Sequence, residues 1–283
     1  MRFTLDVVPL DLDLTLGCGQ TFRWSRGEDG AWTGVIGDQL VRLSQRGFAL
    51  SADVSPGRRD GPELVAKYLR ADDDIGRIQS ELSRDRVLAR GMRRFRGLRI
   101  VKMDEWECLG SYILATYANI PRIRKMIDAV SGSFGDEISG GVRAFPRPEC
   151  LARTRADTLR RLGLGYRAAY LRAVSSEVDD AWIARMAAEP YERLRRGLLA
   201  LPGVGDKVAD CVALFGFGRL ESFPIDVWVE RALERLYGQR GSYRRLRGFA
   251  TSRFGRYAGY AQEYIYHNER ARAQSGKCAF LRR

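Results

Sequence analysis

Over the first fifty residues, apolar and polar positions alternate in short runs. The segments "QTFRW" (20–24), "AWTGVIG" (31–37), "QLVRLSQ" (39–45) and "GFALS" (47–51) interleave aromatic or β-branched residues with polar ones, and Gly, Asp or Arg-Gly turns separate them. A period of two places successive side chains on opposite faces, so these segments predict a small antiparallel sheet. The stretch "DVSPGRRDGP" (53–62) is a turn-rich loop, and Pro62 suits the first turn of a helix in "ELVAKYLR". From there the pattern is helical. "DEWECLGSYILATYA" (104–118) opens on an Asp cap and carries an apolar stripe; "ADTLRRLGL", "AAYLRAVSSEVDDAWIARMAA", "PYERLRRGLLAL" and "GDKVADCVALFGF" continue it. The fold class that follows is α+β. An N-terminal antiparallel sheet subdomain is expected over 1–80 and a mostly helical body over 81–283, with no internal repeat or low-complexity tract.

Charge changes this picture. The 283 residues hold 48 Lys and Arg against 35 Asp and Glu, a net charge of +13. The excess is clustered: "RDRVLARGMRRFRGLRIVK" (84–102) has eight basic residues and one acid, and residues 240–256 have six arginines and no acid. Neutralising phosphates is what such patches do best, so a polyanion partner outweighs a merely solvated surface. No apolar run nears the roughly 20 residues that span a bilayer, and the acidic-apolar start "MRFTLDVVPLDLDL" is not a signal peptide. Five cysteines without regular spacing suggest reduced thiols and a cytoplasmic setting.

Against this arginine background only five lysines appear: Lys67, Lys102, Lys125, Lys207 and Lys277. One of them sits beside a Gly-rich turn, in "LPGVGDKVADC" (201–211). Arginine keeps its proton near neutral pH, whereas lysine can become a free amine and act as a nucleophile. The surroundings read as helix, short turn, helix over 191–216. Pro202 and Gly203 turn the chain, and the amides of Gly203, Val204 and Gly205 are left free at a helix N-terminus, a cradle for phosphate. Further on, "FPIDVWVERALERLYG" places Asp226 at a helix N-cap.

Hairpin, lysine and "P-I-D" together resemble the helix-hairpin-helix glycosylase superfamily. The resemblance implies Lys207 as the nucleophile that attacks C1′ of a damaged nucleotide, and Asp226 as the carboxylate that stabilises the cationic sugar. Four more stretches in family order, "LGCGQTFRW" (16–24), "ECLGSYILATYANIPRI" (107–123), "LGLGYRAAYL" (162–171) and "YAGYAQEYIY" (257–266), narrow it to the 8-oxoguanine DNA glycosylases and span nearly the whole chain. In that family the fold is a sheet subdomain followed by a helix-hairpin-helix body, and the activity joins base excision to abasic-site lyase chemistry.

Further roles carry over by position. Gly19 would offer a carbonyl to the N7 hydrogen that 8-oxoguanine has and guanine lacks. Gln262 would read the Watson–Crick edge, with Cys211 and Tyr266 on the two faces of the extruded base and Phe215 lining the same pocket. Lys207 with Cys211, and Gln262 with Tyr266, are each four apart and so share a helix face. Tyr117, Asn119, Arg122, Tyr166 and Arg167 match positions around the gap in the duplex; the arginines would donate to the orphaned cytosine, and Tyr166 would wedge the stack. Two positions depart from the eukaryotic members, which have Asn at Tyr117 and His at Trp228. The shorter loops suit a prokaryotic, nucleoid-associated member, and a monomer is expected.

The sequence also bears on cofactors. His267 is the only histidine, so a His-based metal site is excluded, and Cys278 has no neighbours to form a four-cysteine iron–sulfur loop. The resemblance leaves one ion in view, a monovalent cation on the carbonyls of Leu199, Leu201 and Val204. Two other readings compete: a glycosylase that removes alkylated bases with Asp226 and water alone, and a non-catalytic hairpin protein that only grips double-stranded DNA.

Overall fold

The computed structural model describes residues 1–280; the side chain of Cys278 lies outside what it describes. Strands β1 (Arg2–Asp6), β2 (Trp24–Arg26), β3 (Trp32–Ile36), β4 (Gln39–Arg46) and β5 (Ala49–Ser55) form one sheet in the order β1-β5-β4-β3-β2. Every neighbouring pair is antiparallel. Burial alternates as the sequence does: Val41, Leu43, Leu50, Ala52 and Val54 face the core, and Val41 stands opposite Val54. Trp24 lies across from Gly34, and a Cβ on Gly34 would fall 2.3 Å from the indole. That glycine makes room for one of the two indole rings of the sheet. The indole N–H donates to the Tyr68 hydroxyl (2.7 Å), which anchors the helix Gly61–Tyr68 with Pro62 in its first turn.

Some elements differ from the pattern. "QTFRW" becomes strand only at Trp24, because the Gln20 side chain is spent on fixing a loop. Its amide donates to the carbonyls of Thr15 (2.8 Å) and Arg99 (2.9 Å) and accepts from the Val101 N–H (2.9 Å). A short helix, Leu12–Gly17, is capped by Asp11 through the Leu14 N–H. The long stretch after Tyr166 divides into Arg167–Glu177 and Asp180–Ala188, since Val178 is extended and Asp179 caps the second helix at the Trp182 N–H (2.7 Å). In "ADTLRRLGL" the helix breaks at Gly163, φ +87°.

The chain divides into two compact units, Met1–Asp72 with Gly97–Gly218, and Asp73–Arg96 with the chain from Arg219 onward. They do not follow a boundary at residue 80. In the first unit the sheet packs on the helix Gly61–Tyr68, and the buried helix Glu105–Leu114, which Asp104 caps at the Glu107 N–H (2.9 Å), packs among the other central helices. In the second, residues 73–96 pack on the C-terminal helices. Gly91 approaches Asn268 so closely that a Cβ would lie 2.1 Å from its amide nitrogen, and Gln79 donates to the Tyr264 hydroxyl at 3.1 Å. Contacts this far apart in sequence leave no local pattern, which is why the sequence alone draws the division elsewhere. Among the described residues no helix is long and apolar enough to cross a membrane.

Candidate active site

The hairpin forms as the sequence suggests, from the helices Tyr191–Leu199 and Asp206–Phe215. Gly203 has φ +76°, and a Cβ there would meet the Tyr170 ring at 2.4 Å, so both the turn and its packing call for glycine. Gly205 is the N-cap of the second helix and carries no side chain over the open amides. A buried ion pair joins the two helices. Asp210, fully buried, accepts from the Arg195 Nε (2.7 Å) and the Tyr191 hydroxyl (2.9 Å), while Arg195 also reaches Asp206. This cluster sets the angle at which Lys207, in the first turn of the second helix, leaves the backbone. Of the three carbonyls considered for a cation, that of Leu201 already accepts the Val204 N–H at 3.2 Å and keeps one lone pair. No donor among the described residues reaches those of Leu199 and Val204, so the set fits a hard monovalent ion.

Lys207 is half-buried, and its ammonium nitrogen lies 5.0 Å from the centre of the Tyr112 ring. That ring also stacks on Phe215, with centroids 5.8 Å apart and planes 9° from parallel, and meets Phe22 edge-on at 5.5 Å. Its hydroxyl donates to the carbonyl of Gln20 at 3.1 Å. Gln20 follows Gly19, whose φ of +100° is open only to glycine and whose carbonyl meets no donor among the described residues. One side chain therefore connects the amine, the apolar wall and the loop with the free carbonyl. Cys211 is buried one turn beyond Lys207, facing Cys108, whose thiol is pushed well up by burial and then by Cys211. Sequence reasoning passed over Tyr112, Gln20 and Asp210. The first two lay inside quoted motifs, and Asp210 shows as an acid amid "VADCVAL"; what marks them is burial, which only the fold reveals.

Behind this wall Glu107 is buried beside Arg23, with 3.4 Å between their charged atoms. Burial pushes its carboxyl up to about 7, although Arg23 pulls the other way.

A second cluster of the same unit surrounds Tyr117. This residue is 96% exposed and has φ +49°, the left-handed region that disfavours residues other than glycine. Arg167, expected to reach for a cytosine, is instead buried. Its Nε donates to the Thr116 carbonyl (2.9 Å), and its Nη2 to the carbonyls of Thr116 and Tyr117. Nη1 keeps its two hydrogens unengaged among the described residues. Tyr166, half exposed, lies under the Arg167 guanidinium at 4.5 Å and meets Tyr170 edge-on, which links this loop to the hairpin turn. Asn119 caps the next helix at the Arg122 N–H (3.0 Å), and the Arg122 side chain is exposed.

In the second unit Asp226 caps the helix Val227–Tyr237, accepting from the Val229 N–H at 2.8 Å through one oxygen. It is half-buried, and Pro224 and Ile225 before it are buried, the Ile225 N–H donating to the Tyr243 hydroxyl. Trp228 carries Arg231 over its ring at 5.7 Å. Gln262 and Tyr266 lie on the helix Ala258–Phe280. Gln262 is 5% exposed, and its side-chain carbonyl is buried with no hydrogen-bond partner. A buried orphan acceptor costs about 1–3 kcal/mol and calls for an explanation outside folding. Tyr266 is half-buried, its hydroxyl accepting from Arg270 at 3.1 Å.

Known proteins match along the chain. The family model for the 8-oxoguanine DNA glycosylase N-terminal domain matches residues 2–109, and that for the HhH-GPD superfamily of base excision DNA repair proteins matches residues 111–249. The Arabidopsis thaliana protein N-glycosylase/DNA lyase OGG1 is 30% identical, over 91% of this chain and 76% of its own. A solved structure of MBOgg1 with a low-affinity DNA ligand superposes with a TM-score of 0.90 at 33% identity, covering 96% of each chain. The Clostridium acetobutylicum 8-oxoguanine glycosylase/lyase, bound to double-stranded DNA with cytosine opposite 8-oxoG, gives 0.86 at 28% identity over 93% of each chain.

Proposed function

The chain belongs to the 8-oxoguanine N-glycosylase/DNA lyases of the HhH-GPD superfamily, and on that footing we propose that it excises 8-oxoguanine paired with cytosine and then cleaves the strand at the abasic site. It is a base-excision repair enzyme, and double-stranded DNA is its partner. The observation that carries the reading is the Tyr112 hub, which places the Lys207 amine and the Gly19–Gln20 loop on one rigid side chain.

Each residue has a task. The Gly19 carbonyl accepts the N7 hydrogen of 8-oxoguanine; guanine would set an unprotonated nitrogen, a second acceptor, against it. Cys211, Phe215 and Tyr266 hold the flipped base, and the orphan carbonyl of Gln262 takes a donor from its edge. As the glycosidic bond breaks, its electrons leave with the base and positive charge grows on the sugar, which the Asp226 carboxylate stabilises. The neutral Lys207 amine bonds to C1′ and loses a proton, and ring opening gives a Schiff base. Removal of a C2′ proton then expels the 3′ phosphate by β-elimination.

Tyr117, Asn119, Arg122, Tyr166 and Arg167 meet the gap, and the amides of Gly203 and Gly205 take a backbone phosphate, while that of Val204, expected to join them, is engaged with the Leu201 carbonyl. A monovalent cation on Leu199, Leu201 and Val204 would add positive charge for that phosphate; no iron–sulfur cluster or organic cofactor enters the scheme. The setting proposed is DNA in the cytoplasm of a prokaryote.

The test is sodium borohydride reduction with a duplex bearing 8-oxoguanine opposite cytosine. A covalent protein–DNA adduct that disappears in Lys207→Gln is expected. Excision without an adduct would point to water as the nucleophile, and binding without excision to a hairpin protein that only anchors DNA.

A further inference from the structure

The second unit holds a cavity of about 430 Å³ that none of these roles uses. Its lining includes Arg86, Arg90, Arg94, Arg235 and Arg272 and no carboxylate. Between them lie Val87, Leu88, Leu236, Ile265 and the ring of Tyr237, so the cationic rim surrounds an apolar floor. Arg235 and Arg272 share the buried carboxylate of Glu269, at 2.6 Å and 2.7 Å. Although burial alone would raise that carboxyl, the two arginines hold it below its usual range.

Arg86, Arg90 and Arg94 differ from this pair. All three are exposed, and among the described residues none pairs with a carboxylate. Other arginines of the unit are matched, Arg77 and Arg256 sharing Glu81, Arg253 meeting Asp85 and Arg240 meeting Glu234, whereas Arg84, Arg93 and Arg96 extend the unmatched set along the same segment. Arg86 and Arg90 are four apart on the helix Arg86–Met92 and so present their guanidinium groups on one side. A solvated face would keep such charges apart and would need no apolar floor beneath them.

The cavity is lined by other residues than the lesion-handling ones of its own unit, although Ile265 adjoins Tyr266 in the chain. Arg235 to Tyr237 close the helix that Asp226 opens, roughly 15 Å along the axis at 1.5 Å per residue. On the last helix, Ile265 and Arg272 lie about a quarter-turn from Gln262 and Tyr266.

We propose that this cavity binds a phosphate monoester carried on a flat apolar body, a nucleoside phosphate, separately from the damaged base. Guanidinium forks match phosphate oxygens in pairs, and the volume is that of a site for one small molecule. The same chemistry has two sources, a free nucleotide and the phosphorylated end of a DNA strand.

The test is isothermal titration of the whole protein with dGMP, deoxyguanosine, inorganic phosphate, and a short undamaged oligonucleotide with either a 5′ phosphate or a 5′ hydroxyl. Wild type is compared with Arg86→Glu/Arg90→Glu and with Lys207→Gln, and circular dichroism and thermal melting report folding. One dGMP is expected to bind, at least tenfold more weakly in the double variant and unchanged in Lys207→Gln, with deoxyguanosine and inorganic phosphate both weaker than dGMP. A 5′ phosphate that strengthens oligonucleotide binding only in proteins with Arg86 and Arg90 intact makes the strand end a ligand as well; no such gain leaves the free nucleotide. The proposal is overturned if dGMP does not bind, if inorganic phosphate binds as well as dGMP, or if the double variant binds dGMP like wild type. None of these results touches the excision chemistry.

Discussion

Tyr112→Phe separates the two jobs of the hub. It removes one buried hydrogen bond, the 3.1 Å donation to the Gln20 carbonyl, and keeps the ring that touches Lys207 and Phe215. A neutral hydrogen bond of this kind is worth about 1 kcal/mol, roughly fivefold in rate if the whole of it is felt in the transition state. The loosened part is the Gly19 loop, which matters for recognising the base but not for attack on a sugar that has already lost it. Single-turnover excision of 8-oxoguanine opposite cytosine should therefore fall about fivefold, while borohydride trapping on an abasic-site duplex stays within about twofold. Tyr112→Ala also removes the ring, which costs about 3–5 kcal/mol by analogy with other aromatic-to-alanine changes, and both assays should fall with it. If Tyr112→Phe lowers the two assays equally, or lowers neither, the hydroxyl does not position the loop and the argument for the hub is wrong.

Three further outcomes follow from buried polar groups. Asp210→Asn leaves the buried Arg195 with only the half-exposed Asp206 as a charge partner and should lose about 1.5–3 kcal/mol in urea unfolding, part of which Asp210→Leu combined with Arg195→Met should restore. Glu107 has a folded pKa of about 7 against 4.5 in its unfolded reference, so the folded state holds more protons between these values. Stability should therefore fall as pH rises from about 4.5 to 7, by up to about 1.4 kcal/mol per pH unit, and denaturant titrations of Glu107→Gln should lose that slope. Gln262→Leu removes an orphan acceptor, so its melting temperature should hold or rise while excision falls at least tenfold with non-specific DNA binding intact.

Local signals explain what the sequence could disclose. The strands at Val41 and Leu50, the caps at Asp104 and Asp226, and the glycine turn at 203 are each encoded within a few residues and legible in the sequence, whereas the last strand runs on through Val54 to Ser55, into the stretch expected to be loop. Position-by-position resemblance also pointed to Lys207, whose setting in the first turn of the second hairpin helix follows from Pro202, Gly203 and Gly205. Long-range packing was silent. Nothing near Gly91 announces Asn268, nothing near Tyr112 announces the Gln20 carbonyl, and the return of residues 73–96 to the C-terminal helices leaves no periodic trace. Arg167 is the instructive case: its place in "LGLGYRAAYL" was legible, but that two of its nitrogens are spent on backbone carbonyls was not.

That arrangement changes how the gap-facing residues share their work. A left-handed backbone at a residue other than glycine costs on the order of 1–2 kcal/mol, and an aromatic ring left 96% exposed recovers nothing by packing. Folding alone thus gives no reason for Tyr117 to stand where it does, and Arg167 is the group that keeps it there. Arg167 spends Nε and Nη2 on the strained loop and has Nη1 left for DNA, whereas the Arg122 side chain is exposed. On the function proposed, a ring fixed in advance by Arg167 would help to hold an extrahelical nucleotide with little conformational entropy left to lose on binding. Opposite-base reading, on the function proposed, would then rest more on Arg122 than on its buried counterpart. In that proposed role the Tyr117 ring would offer a stacking face, which fills a void without distinguishing strongly among the bases beside it.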